Sequence, residues 1–190
     1  ICKRARQAGI LTVIDGAHAP GQIPLDMQAI DADFYTGNCH KWMCSPKGAG
    51  FLYVQRQHQA SIEPLVVSWG WSAKPQDSLG SVFLDNYAWH GTQDFSAYLS
   101  VLAAIGFQKK YDWPKVRKQC HEMLKRGLEQ LQSLTGLEPA YASDSLYYQL
   151  AISPLPKIAD LTDIKNKLYD DYFVEIPLTE YKGQQFARIS

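Results

Sequence analysis

Leu11-Thr12-Val13-Ile14-Asp15-Gly16-Ala17-His18, followed after a polar connection by Asp33-Phe34-Tyr35-Thr36-Gly37-Asn38-Cys39-His40-Lys41, is the stretch that decides the fold of this chain. Each half is an apolar run that ends in polar residues. The first, residues 10–14, has the β-branched composition of a buried parallel strand, and residues 33–39 read as a second strand. Asp15 and Lys41 then stand at the carboxyl ends of predicted strands, where open α/β sheets place their ligands. A lysine in that position can form a Schiff base with an aldehyde. A solvated surface charge is the plain alternative for the same residue.

Working outward, residues 1–9 read as the end of a basic helix stopped by Gly9, and 26–30 as a short segment between the strands. After the Ser45-Pro46-Lys47-Gly48 turn, residues 50–54 read as a strand that pairs with 33–39 as a hairpin. Residues 61–93 lack periodicity and carry Trp69, Trp71 and Trp89, the composition of ordered, function-bearing loop. The spacing of Tyr98, Leu99, Leu102 and Ile105 predicts a well-buried helix over 95–110. A second helix is predicted over 113–134, with Pro114 in its first turn, Val116, Cys120, Leu124, Leu128 and Leu131 on one face, and Asp112 as cap and domain boundary. Strands over 146–152, 173–178 and 185–190 and a helix over 160–172, with Leu161, Ile164 and Leu168 inward, complete the reading. The expected class is α/β: residues 1–112 as one domain and 113–190 as a small α+β domain.

Composition narrows the function. Among 190 residues, 46% are hydrophobic and 20% charged, which is ordinary for a globular protein. Nineteen basic residues balance nineteen acidic ones without a long run of either sign, so neither a nucleic-acid nor a membrane surface is expected. Cys2, Cys39, Cys44 and Cys120 form no CxxC pair, which favours reduced thiols and a cytoplasmic protein. No HExxH or CxxC set accompanies His18 and His40, so no metal site is expected. Cys39 and Cys44 read as small buried apolar residues. The chain opens at Ile1 within a helix-like stretch and stops at Ser190 within a strand-like run, and so reads as a fragment.

Asp15 and Lys41 make sense together as a pyridoxal phosphate site, which needs an amine for the aldehyde and a carboxylate for the pyridinium nitrogen. His18, three positions past Asp15, is placed to contact a ring substituent such as the phenolic oxygen, although Asp15 to His18 also reads as an ordinary polar turn. Asn38 and His40 flank the lysine with groups that can hold a phosphate. Thr92, in His90-Gly91-Thr92 ahead of a helix, fits either a phosphate site or a simple helix cap. Arg188, in an edge or terminal strand, fits a substrate carboxylate or an exposed salt bridge.

Taken together these residues resemble the class V aminotransferase family of pyridoxal phosphate enzymes, with DGAHAPG, TGNCHKW and PKGAGFLYV over residues 13–54 most similar to the isopenicillin N epimerase-like branch. WHGTQD at 89–94 and FARIS at 186–190 extend the likeness. The resemblance implies the carboxyl-terminal part of a fold type I large domain, with a mostly parallel sheet, joined to the small domain. It implies pyridoxal 5'-phosphate bound through a Lys41 Schiff base, with Asp15 at the pyridinium nitrogen and His18 at the ring. Asn38 and His40 would line the phosphate, Asn38 standing where many relatives have serine. Thr92 would reach the neighbouring subunit's phosphate in a homodimer, and Arg188 would take the substrate's α-carboxylate. No cysteine occurs in Tyr172-Phe173-Val174-Glu175-Ile176-Pro177, which argues against a cysteine desulfurase.

The expected activity is chemistry at the α-carbon of an amino acid or peptide, with epimerisation or lyase chemistry ahead of aminotransfer. The glycine-rich phosphate loop and the ring-stacking residue of the family lie outside this chain, so the fragment alone is expected to be inactive. The alternative is a catalytically silent domain acting in dimerisation or interaction.

Overall fold

β1 (Val13–Asp15) and β2 (Phe34–Asn38) run parallel, with Val13 opposite Phe34 and Asp15 opposite Thr36. β3 (Gly50–Val54) returns antiparallel on the other side of β2, giving the order β1-β2-β3. These elements belong to a computed structural model that describes residues 1–72 and 74–190. The predicted hairpin is present, but the sheet is mixed rather than mostly parallel. The 39–49 connection holds no crossover helix, so β3 can only turn back on β2.

β1 is shorter and more open than the sequence predicts. Ile10 and Leu11 precede it, and Val13 is 72% exposed. Val13 and Asp15 project from one face of the strand, which is open, while Ile14 on the opposite face is half-buried. A buried polar cluster holds its starting end. Thr12 donates to Asp33 Oδ2 through both its backbone N–H and its hydroxyl, each at 2.8 Å, and Asp33 N–H returns a bond to Thr12 Oγ1. His58 Nε2 lies 2.9 Å from the other carboxylate oxygen. Arg6, at the end of α1 (Cys2–Gln7), pairs with Asp31 and stands 3.8 Å from Asp33. Between the strands, α2 (Met27–Ile30) is capped by Asp26, which accepts from Gln28 and Ala29.

The segment expected to be irregular contains a helix, α3 (Val82–Ala88), capped by the Ser81 hydroxyl, which accepts from Leu84 N–H. Ala73, also in that segment, lies outside the described residues. α4 (Ser96–Lys110) forms where predicted but is not well buried: only Ala104 is, while Leu99 and Leu102 are exposed. Its apolar residues are spread around the circumference instead of forming one inward stripe, so a neighbour on one side cannot cover them.

The chain divides into two compact units, Ile1–Lys109 and Lys110–Ser190. In the second, α5 (Trp113–Thr135) buries Leu124 and half-buries Val116, Leu128 and Leu131, whereas Cys120 is exposed. Asp112 precedes α5 without capping it. Its backbone is left-handed (φ 49) instead of extended, and its side chain makes no capping bond.

β4 (Ala151–Leu155), β5 (Leu178–Tyr181) and β6 (Gln184–Ile189) form an antiparallel sheet of order β4-β6-β5. β4 starts later than predicted because Asp144–Leu146 is a 3-10 turn. Residues 173–177 are not a strand, since Phe173 takes a left-handed conformation (φ 56) that closes α6 (Leu161–Tyr172). That helix half-buries Leu161, Ile164 and Leu168, and Asp160 caps it. Arg188 therefore lies in the central strand of this sheet, not at an edge. Among the described residues no helix is long and apolar enough to cross a membrane.

Candidate functional site

Because β1 and β2 run the same way, Asp15 and Asn38 close their strands at one sheet edge. The two loops that follow are pressed together. Gly16 N–H donates to Thr36 O at 2.9 Å, and a Cβ on Gly16 would stand 2.0 Å from the Tyr35 hydroxyl oxygen. A Cβ on Gly21 would stand 2.3 Å from the Trp42 carbonyl oxygen, and Gly21 itself takes φ +82. Glycine at 16 fits the start of the loop after Asp15 against the Tyr35 side chain of β2, and glycine at 21 lets that loop pass close to the loop that carries Lys41.

Asp15 is exposed, and its Oδ1 accepts from Ala17 N–H at 3.0 Å. Tyr35 lies buried beside it, and burial, then the charge of Asp15, pushes the Tyr35 phenol above its ordinary pKa. His18 is exposed and its Nδ1 accepts from the Trp42 indole N–H at 3.2 Å. Asn38 is half-buried at the end of β2, and Lys41 is exposed two positions past the buried Cys39. His40 is half-buried, and its Nδ1 is a buried atom without a hydrogen-bond partner. A buried, unmatched nitrogen is costly unless something completes it. An open amine, an open carboxylate and this unmatched imidazole form a donor set that fits pyridoxal phosphate.

Asp15, His18, Asn38, His40 and Lys41 thus lie at the end of one strand pair or in the two loops that leave it, Thr92 lies in the segment ahead of α4, and Arg188 belongs to the second unit. Thr92 is exposed, and the reading of it as a helix cap is corrected: Asp94 caps α4, accepting from Ser96 N–H at 2.8 Å, and that bond lowers the Asp94 carboxyl pKa. His90 lines a cleft against β3 with Phe51, Phe83, Tyr87 and Tyr98. Trp69 and Trp71 are exposed, and Trp89 stacks on Phe95 at 5.2 Å between centroids. Arg188 is exposed in β6 of the second unit, opposite Ile152. A cleft of that unit, lined by Lys125, Tyr141, Asp144 and Tyr147, contains none of the candidate residues.

All four cysteines are free. Cys39 is buried as expected, but Cys44 is exposed, where its left-handed backbone (φ 66) lets the thiol reach Trp42 O at 3.7 Å. Burial pushes the Cys39 thiol up, and partial desolvation against neighbouring atoms does the same to the more open Cys44, which makes them poor nucleophiles near neutrality. Among the described residues no group of three or more His, Cys, Asp or Glu is assembled for a metal ion. The sequence reading missed Tyr35 and Trp42. Trp42 carried a signal, because an indole N–H beside a candidate lysine needs a partner.

Residues 1–158 match the family Aminotransferase class-V. The chain is 33% identical over 198 residues to isopenicillin N epimerase of Amycolatopsis lactamdurans, covering 100% of this chain and 50% of that protein. Among solved structures, the apo cysteine desulfurase of Thermococcus onnurineus NA1 is similar with a TM-score of 0.79 at 17% identity, covering 100% of this chain and 49% of that one. A C-DES mutant with glycine covalently linked to its PLP cofactor has a TM-score of 0.72 at 22% identity, covering 95% and 46%. These two structures share the fold. The chain spans about half the length of the curated relatives it matches.

Proposed function

Because the chain belongs to the class V aminotransferase family, whose cofactor is pyridoxal 5'-phosphate, we propose that it supplies the lysine-bearing part of an enzyme acting at the α-carbon of an amino acid or peptide. When bound, the cofactor offers an aldehyde carbon to an amine and a ring that draws off the charge left when a bond to the α-carbon breaks. Lys41 Nζ is the amine and, once released, takes up and returns the proton at the α-carbon. The Asp15 carboxylate keeps a proton on the ring nitrogen, and His18 donates to the phenolic oxygen. Asn38 and His40 bind the phosphate. Thr92 does so across a homodimer, in the neighbouring subunit's site. Arg188 binds the substrate carboxylate through two parallel N–H bonds.

One observation supports this reading: the parallel pairing of β1 and β2 ends Asp15 and Asn38 at one sheet edge, and the loop that follows Asn38 carries Lys41 next to a buried imidazole nitrogen that the chain leaves unmatched. Epimerisation or lyase chemistry ranks ahead of aminotransfer, supported by the likeness to isopenicillin N epimerase. Desulfurase chemistry ranks last, since residues 172–177 carry no cysteine. The fold likeness to a desulfurase does not bear on that ranking. In the same reading, residues 1–112 are part of a cofactor-binding domain and 113–190 a small domain, the protein works in the cytoplasm, and these residues alone are inactive.

The test is borohydride reduction of the protein at its native length after incubation with pyridoxal phosphate, followed by peptide mapping. The cofactor is expected on the peptide containing Lys41. A label fixed elsewhere, or nowhere, contradicts the proposal.

A further inference from the structure

Trp42 follows Lys41 in sequence, and its indole N–H reaches across to His18 Nδ1 at 3.2 Å. We propose that Trp42 is a positioning residue that fixes the tautomer of His18, making Nε2 the ring's donor toward the cofactor's phenolic oxygen. The inference rests on the pyridoxal phosphate reading above.

An indole nitrogen can donate but not accept, so the atom it faces must be an unprotonated acceptor. In a neutral imidazole the hydrogen then lies on Nε2. His18 is exposed, and the Trp42 N–H is a donor aimed at its Nδ1 that a protonated Nδ1 could not accept. Trp42 is suited to the task because its own backbone is held. The Trp42 carbonyl accepts from Gln108 Nε2 of α4 at 3.2 Å and from the Cys44 thiol at 3.7 Å. The same carbonyl presses on Gly21, where a Cβ would stand 2.3 Å away. Gly21 and His18 belong to one loop, so Trp42 meets that loop twice, once through its backbone and once through its side chain. A phenylalanine at 42 would fill much of the space and leave Nδ1 without this donor. The choice of an N–H-bearing aromatic beside the lysine thereby links the residue that holds the aldehyde to the residue that meets the ring.

The test is nitrogen NMR of the native-length protein labelled with 15N-histidine, without cofactor, His18 being assigned through a His18→Gln variant. Nδ1 is expected at the shift of an unprotonated ring nitrogen and Nε2 at that of a protonated one. Trp42→Phe, and replacement of the Trp42 indole by benzothiophene, which exchanges the N–H for sulfur at nearly constant shape, should each bring the two shifts together. With pyridoxal phosphate bound, the benzothiophene replacement should also move the visible absorption band. A protonated Nδ1 in the native protein, ring shifts unchanged by the benzothiophene replacement, or an unmoved band overturns the inference. Cofactor failing to attach at Lys41 overturns the functional reading instead, and the ring shifts without cofactor are read independently of it.

Discussion

At the starting end of the β1–β2 pair both oxygens of the Asp33 carboxylate are engaged, by Thr12 on one side and His58 on the other, and the residue is 3% exposed. At the finishing end of the same pair, Asp15 is exposed with one backbone bond, Lys41 is open, and His40 Nδ1 is buried but unmatched. The two ends lie a few residues apart along the same strands. The first is closed upon itself and holds α1, β1, β2 and the turn at Arg56–Ser61 in place. The second keeps its polar groups available, at some cost in stability, which is the pattern of a site awaiting a ligand. A carboxylate at a strand end is thus structural or functional according to whether the chain completes its hydrogen bonds.

That contrast can be broken at either end. Asp33→Ala should have the largest effect, a loss of about 3 kcal/mol in denaturant unfolding, because it strands Thr12 N–H and hydroxyl and the His58 ring together. A loss below about 1 kcal/mol would show that the starting end is not the anchor. Asp15→Asn should do the reverse, lowering kcat by about a hundredfold while leaving unfolding within about 0.5 kcal/mol of the native protein. Substantial unfolding without a loss of turnover would invert the assignment of the two ends.

The pH dependence sharpens the comparison. The Thr12 backbone bond first, then the Thr12 hydroxyl and His58, hold the Asp33 carboxyl at about 2, down from 3.8. Folding therefore favours its ionised form. The stabilisation is complete above about pH 4 and is lost as pH falls toward 2, amounting to about 2 kcal/mol. Asp33→Asn should abolish this part of the acid dependence, and an unchanged profile would remove Asp33 from the account. The smallest effect is expected at His40. His40→Phe breaks no Nδ1 bond, so the melting temperature should hold or rise, while affinity for pyridoxal phosphate falls about tenfold, the worth of one hydrogen bond. Equal affinity in an equilibrium titration would mean that His40 does not serve the phosphate.

Much of this was legible in the residues themselves. The β-branched and aromatic runs around Val13 and Phe34, the short turn before Gly50 and the spacing of Leu161, Ile164 and Leu168 are local signals, and the corresponding elements form. What depended on neighbours was not legible. Leu99 and Leu102 have helical spacing, but spacing does not supply a surface to cover them. Val13 suits a buried strand, yet the face of β1 that carries it is uncovered. Arg188 stood in a predicted strand, and only the register of β4 and β5 around β6 shows that strand to be central. At the site, Asp15 and Lys41 were marked by their positions at strand ends, whereas the Trp42 to His18 bond joins residues of two loops and has no local signature.

The most direct measurement is the visible absorption spectrum of the native-length protein with pyridoxal phosphate, before and after borohydride, beside a Lys41→Ala variant. The account predicts an imine band in the native protein that borohydride removes and that is absent from Lys41→Ala. No band in the native protein, or the same band in Lys41→Ala, would contradict it.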